Sequence, residues 1–282
     1  MPSQAQLLEA LSAVSGCNVQ LATGAAHTLT PQDFVNVVAL KEFYTQEGLQ
    51  ALEYPNLGTL SLQDMGTTTT LALPESDSAP TNRPTVYVNA QEFFDPGWNY
   101  DFTNVKDGET VFTRGKEPYL RPCGWFRAAI KVLKKYPDGD AWLGTGDEAW
   151  PVSYHGSAMD GSLGIIVTRK KAKGDEDGDD DGGPGERLAA GSTLGRGVYS
   201  TPDVKTAGKF SKTFRSREDN KVYKVVLQNR INPEQRQKCR REKYWLVYVP
   251  EGSTAIQERA IIEGALRPYG LLLQQLLRNK AT

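Results

Sequence analysis

Histidine and cysteine are scarce in this chain, whose 282 residues hold 2 histidines and 3 cysteines. The cysteines, Cys17, Cys123 and Cys239, are odd in number and far apart. They make neither a disulfide framework nor a metal-ligand spacing, so no metal is expected, and a reducing, intracellular setting (cytoplasmic or nuclear) is. Long apolar runs are missing too. No stretch approaches the length of a membrane span, and no basic start followed by an apolar segment marks a secretory signal. Charge of one sign is not in excess either: 33 Lys and Arg stand against 34 Asp and Glu, a net charge of −1. That balance excludes bulk attraction to nucleic acid or to anionic lipid.

Locally, charge is uneven. Residues 169–173 are basic, 175–181 acidic, and Arg236 to Lys243 basic again. The last run is short and reads as a solvent-facing loop edge, so nucleic acid is not an expected partner. The acidic run places Asp175, Asp177, Asp179 and Glu186 at ligand positions of a calcium loop. It has Asp180 where that loop needs glycine, and no flanking helix. It reads instead as a solvated, disordered loop near 170–192.

What the chain does have is hydrophobic pattern. Leu7, Leu8, Leu11 and Val14 fall at helical spacing, and Thr30-Pro31 opens a second helix to about Glu47. A weak hairpin over 57–73 and a Ser-, Asp- and Pro-rich linker over 74–84 follow. Residues 1–84 thus read as a small N-terminal appendage with its linker, and 85–282 as the main domain. In the latter, Thr85 to Asn89 reads as a strand and Tyr100 to Tyr119 as a hairpin turning at Asp107-Gly108. Gly124 to Tyr136 reads as a helix with Phe126, Ala129, Ile130 and Leu133 on one face. Val222 to Leu227 and Tyr244 to Val249 are further strands, 254–263 suits either helix or strand, and an apolar run spans Leu271 to Leu277. Strands and helices without a regular alternation argue an α+β fold.

Two stretches carry the chemistry: Ser153-Tyr154-His155-Gly156-Ser157 and Gly195-Arg196-Gly197-Val198-Tyr199-Ser200. Each reads as a strand bringing one polar ring to a shared cleft. Gly156 has no Cβ and would let a ligand approach its backbone; packing alone gives no reason for glycine at 156, 195 and 197. Thr201-Pro202-Asp203 reads as a helix start with Thr201 as N-cap and Pro202 at the first helical position. A histidine, an accessible glycine backbone and an aromatic beside a helix N-terminus suit a flat, amide-bearing, phosphorylated ligand, and NAD is one. His27 reads as an ordinary loop residue.

With Lys205-Thr206-Ala207, Phe210 and Tyr244-Trp245-Leu246-Val247-Tyr248, these stretches resemble the catalytic core of the poly(ADP-ribose) polymerase-like family of ADP-ribosyltransferases. The likeness runs from Trp150 to Pro250 and is closest to small, divergent members. It implies a split antiparallel β-sheet core with flanking helices. The activity implied is NAD-dependent mono-ADP-ribosyl transfer to an acceptor such as protein. The alternative is a catalytically inactive NAD- or ADP-ribose-binding module of the same fold. The resemblance implies that His155 bonds the adenosine-side ribose, that the Gly156 backbone with Ser157 beside it receives the nicotinamide carboxamide, and that Tyr199 packs on the ring. Phe210 would close the other face and the Thr206 hydroxyl would bond the carboxamide. Active polymerase-type members carry Glu at the start of the last strand. Tyr244 stands there, with Glu242 two residues earlier and on the same face if the strand begins early. A tyrosine supplies no negative charge near neutral pH, so polymerase activity is not implied. His155 and Tyr199 are expected to face one another across a dinucleotide-sized hollow.

Overall fold

Leu271, Leu272 and Leu273 lie at the middle of the longest strand, and their unbroken apolar run reflects a sheet buried on both faces. The computed structural model describes residues 1–23, 28–35, 38, 51–54, 58–61, 85–157, 159, 197–239, 243–250 and 252–276. The strands are β1 (Asn18–Leu21), β2 (Ala51–Tyr54), β3 (Gly58–Ser61), β4 (Thr85–Val88), β5 (Tyr100–Asp101), β6 (Thr113–Arg114), β7 (Glu117–Pro118) and β8 (Phe126–Ala129). They continue as β9 (Val152–Gly156), β10 (Gly197–Ser200), β11 (Thr213–Arg215), β12 (Val222–Ile231), β13 (Gln237–Cys239), β14 (Tyr244–Tyr248) and β15 (Leu266–Leu276). Helices are α1 (Gln4–Ser15), α2 (Ala90–Phe93), α3 (Val204–Lys209) and α4 (Ala255–Ala265). The architecture is α+β with mainly antiparallel pairing.

The largest sheet runs β11-β12-β15-β8-β5, and β9 pairs with β12 beyond the end of β11. A second sheet, β10-β14-β13, meets the first where Tyr154 and Thr201 exchange two backbone hydrogen bonds. Side-chain alternation sorts the residues into two cores. Val225, Leu227 and Ile231 of β12 join Leu271 and Leu273 of β15, Trp245 and Val247 of β14, and Ile262 of α4 on one face. Val226, Leu272, Tyr154, Tyr199, Leu246, Val204 and Ala207 form the core on the other face. Helix α1 is closed by a capping box, Ser3 with Gln6, and by Gly16 in the left-handed region. It buries Ala10, Leu11 and Val14 in the first core, and fully burying one leucine stabilises by about 2 kcal/mol. Strand β1 pairs in parallel with β4, so α1, β1 and Leu29, Phe34 and Val35 of the expected appendage share a core with the main sheet.

Several local expectations are corrected. Residues 126–129 form β8, a strand bonded between β15 and β5, and not a helix. Both of its faces are buried, and apolar residues on both faces mimic helical spacing; Leu133, expected on the core side, is 41% exposed. The 100–119 hairpin is replaced by β5 pairing with β8 and a small β6–β7 hairpin around Gly115, whose φ is +61°. Strands β2 and β3 pair as a hairpin over 51–61, and the remainder of the hairpin expected over 57–73 lies outside the described residues. Residues 254–263 resolve as helix α4, started by a Thr254–Gln257 capping box. The linker over 74–84, the acidic loop near 170–192, Gly195, Arg196 and Glu242 lie outside the described residues. Among the described residues no helix is long and apolar enough to cross a membrane.

Candidate functional site

The junction of β9 with β10 brings the two sequence motifs side by side. His155 is 1% exposed, and its Nδ1 lies 2.7 Å from the carbonyl oxygen of Tyr199. A carbonyl only accepts, so Nδ1 carries a proton and donates it, which fixes the imidazole plane. The expected ring-to-ring arrangement is corrected: the imidazole meets the backbone of Tyr199, not its phenol. Register gives the reason. His155 is opposite Leu227, a residue of the first core, whereas the Tyr199 ring packs beside Tyr154 in the second. The two side chains leave the junction on opposite faces.

The Tyr199 face is aromatic. Tyr199 pairs with Leu246 on β14, and Tyr244 lies two residues earlier on the same face. Phe210, just after α3, meets the Tyr244 ring edge-on, with centroids 6.4 Å apart and planes at 74°. Tyr199, Phe210 and Tyr244 are therefore brought to one face.

The His155 face is polar and unsatisfied. Ser153 lies opposite Asn229, and Ser200 opposite Trp245. All four are almost completely buried. Ser153 Oγ, Ser200 Oγ, both side-chain polar atoms of Asn229 and the Trp245 indole nitrogen lack a hydrogen-bond partner among the described residues. Each such group costs roughly 1–3 kcal/mol if nothing ever pairs it, and native proteins rarely cluster them without a ligand, ion or water to explain them. The sequence motifs named His155 but missed Ser153, Ser200 and Asn229. Their signal was polar residues interrupting strands that otherwise bury every position.

Other expected contacts have intramolecular explanations. A Cβ on Gly156 would collide with the carbonyl oxygen of Ala207 and lie 2.9 Å from the carbonyl carbon of Phe210. The glycine thus makes room for the end of α3, correcting the view that packing gives no reason for it. The Gly156 carbonyl accepts from the Met159 amide at 2.8 Å. Gly197, at φ +156°, would with a Cβ strike the Val247 carbonyl of β14, so it too is explained by strand packing. The Ser157 hydroxyl accepts from the Lys212 amide at 3.0 Å, and the Thr206 hydroxyl donates to Asp203 at 2.9 Å. Asp203, not Thr201, is the N-cap of α3, accepting from the amides of Lys205 and Thr206, because Thr201 is held in the bridge to Tyr154.

Beneath the aromatic face, the Tyr154 hydroxyl donates to the Leu120 carbonyl at 2.6 Å, and Gln228 donates to the hydroxyls of Tyr119 and Tyr154. Burial pushes the Tyr154 phenol far above its ordinary value, so it stays a neutral structural tie. Among the described residues no group of three or more His, Cys, Asp or Glu is placed to hold a metal. Comparison with protein-family models, with curated proteins and with solved structures finds no match for this chain.

Proposed function

We propose that the chain is a mono-ADP-ribosyltransferase of the poly(ADP-ribose) polymerase-like kind, using NAD as donor substrate and protein as acceptor. The observation that carries the reading is the buried polar cluster Ser153, Ser200 and Asn229 on the His155 face, with an aromatic face of Tyr199, Phe210 and Tyr244 on the other side of the same β9–β10 junction. Unpaired hydroxyl and amide groups suit a ribose, whose neighbouring 2′ and 3′ hydroxyls each donate and accept. The aromatic trio suits a flat pyridinium ring.

On this reading the chain's own residues act by holding and orienting. His155, with its plane set by Tyr199, turns the edge of its ring toward a ribose hydroxyl, and Ser153, Ser200 and Asn229 complete the sugar's contacts. Tyr199 and Phe210 pack the ring, and burial excludes water from the glycosidic bond. Tyr244 sits where the resemblance places a glutamate. As a phenol it orients a ribose hydroxyl without supplying charge, which accords with single transfer and not with chain growth. NAD supplies the scissile bond between ribose and nicotinamide.

Labelled NAD tests the proposal. Transfer of label to protein, with release of nicotinamide and loss of both in His155→Ala, supports it. A second reading, an inactive NAD- or ADP-ribose-binding module, is favoured by Tyr244 itself, since no carboxylate stands at that position. Saturable NAD binding without label or nicotinamide release supports that reading, and absence of binding overturns both.

A further inference from the structure

Away from the β9–β10 junction, a cavity of about 440 Å³ opens between β8, β12, β15 and residues 130–145, and it is rich in arginine. Arg114, Arg127 and Arg230 all line it, and none of them forms an ion pair with a carboxylate among the described residues. Arg230 is 3% exposed. Its guanidinium donates only to main-chain carbonyls, those of Trp150, Leu143 and Gly144 at 2.5–3.0 Å. Its Nε–H, like that of Arg127, is buried without an acceptor. Burial, with repulsion from Arg114 and Arg127, pushes the Arg230 guanidinium below its ordinary value. A buried cation neutralised by neither carboxylate nor solvent is costly unless something anionic reaches it.

The cavity also holds Arg127 in place. Its stem crosses Gly270, where a Cβ would lie 2.9 Å from Arg127 Cδ, and its guanidinium stacks 5.7 Å from both the Phe102 and Tyr269 rings. The rest of the wall is largely apolar, with Ile130, Val132 and Leu133 on one side and Trp98, 64% exposed, at the rim. Asp95 and Asp140 also line the cavity, and the Asp140 carboxylate accepts from the Lys134 amide at 2.9 Å. Three guanidinium charges against two carboxylates leave a surplus of one positive charge.

We propose that this cavity is a second ligand site, for a small organic monocarboxylate with an apolar or aromatic body. The guanidinium forks match a carboxylate's two oxygens, the apolar wall and Trp98 take the body, and the single surplus charge fits a monoanion. A phosphate dianion would carry one charge more than that surplus balances. The site does not depend on the NAD proposal. Arg230 pairs with Val152 at the far end of β9 from Gly156, four residues along the strand, roughly 13 Å at the rise of a strand.

The test titrates the full chain with 2-naphthoate, 2-naphthamide and inorganic phosphate, following binding by calorimetry. Saturable naphthoate binding is expected, with the neutral amide about tenfold or more weaker. Phosphate should fail to saturate, and excess NAD should not displace naphthoate. Arg127→Gln should weaken naphthoate about tenfold at unchanged melting temperature. Should Arg127→Gln lower the melting temperature, Arg114→Gln is read in its place with the same expectation. Absence of saturable naphthoate binding, equal binding of naphthoate and naphthamide, tighter binding of phosphate, displacement by NAD, or full affinity in the arginine variant that is read overturns the proposal.

Discussion

Ser200→Ala and Ser153→Ala separate a ligand site from a merely untidy core. Both hydroxyls are buried, at 1% and 0% exposure, and neither has a partner among the described residues. Losing a paired hydroxyl normally destabilises a protein by about 1 kcal/mol, but removing an unpaired one releases a desolvation cost of roughly 1–3 kcal/mol. The small void left by the missing oxygen offsets part of this gain. Each variant is therefore expected to be as stable as the parent or up to about 1 kcal/mol more stable, a rise of at most about 2 °C in melting temperature for a chain of this size. If the same hydroxyls bond a ribose, each variant also loses a ligand hydrogen bond of roughly 0.5–1.5 kcal/mol, and NAD affinity falls about 2- to 13-fold. Paired thermal melts, with and without NAD, read both quantities on one sample. The signature is opposite movement: stability held or raised, ligand-induced stabilisation reduced. Destabilisation by 1 kcal/mol or so would mean that the hydroxyls are paired after all. A stabilised protein with unchanged NAD affinity would refute the assignment of this cluster to the ligand.

Three further outcomes follow from the packing. Gly156→Ala drives a Cβ into the backbone of Ala207 and Phe210, and is expected to cost about 1–3 kcal/mol. Gly146→Ala, with open space around it, should be neutral or stabilise by up to about 1 kcal/mol; equal melting temperatures for the two would show that the Gly156 slot is not sterically closed. Asp203→Ala removes the cap of α3 and should cost about 1 kcal/mol in chemical denaturation, whereas an unchanged midpoint would return the cap to Thr201. Glu117 is pushed up by burial, but its bonds to Lys238 and Arg236 outweigh this and hold its carboxyl below the ordinary 4.5. Its stabilising effect is complete above that value and lost as pH falls through the lower folded one. The stability gap between parent and Glu117→Gln should therefore be widest at neutral pH and close on acidification; a gap independent of pH would refute the coupling.

Which elements were legible in the sequence depends on whether their pattern is local. Helix α1 and strands β9, β10 and β14 announce themselves by spacing, by capping residues or by glycine placement. Strand β8 does not. Its identity is set by β15, more than a hundred residues later, and burial on both faces erases the period-two alternation that marks a strand. The apolar run predicts β12 only as far as Leu227, yet Gln228, Asn229 and Arg230 continue the strand to Ile231 fully buried. Those three residues are where the sequence was least readable and where the unsatisfied chemistry now concentrates. Polar side chains buried inside a strand look, in one dimension, like surface.

Glycine shows the opposite failure. Gly156 and Gly197 drew attention because a missing Cβ allows close approach, but a neighbouring backbone approaches as closely as any ligand, and the carbonyls of Ala207 and Val247 fill both slots. Neither glycine is left open to a ligand; the groups that are open lie beside them, in the unpaired Ser153, Ser200 and Asn229 side chains. Those atoms and the aromatic trio of Tyr199, Phe210 and Tyr244 lie on opposite faces of the β9–β10 junction, held together by the Tyr154–Thr201 bridge. A compact ligand with one kind of surface could satisfy only one of these faces. On the NAD proposal, a ligand reaches both only by passing round the junction, so it must be elongated and chemically two-ended, with a flat ring at one end and hydroxyl groups beyond it. A dinucleotide meets that requirement, and ADP-ribose without the ring meets half of it. NAD should accordingly bind more tightly than ADP-ribose, and Tyr199→Ala should reduce that difference while Ser200→Ala weakens both ligands alike. Equal affinity for the two ligands in the parent chain would leave the aromatic face with no part in recognition.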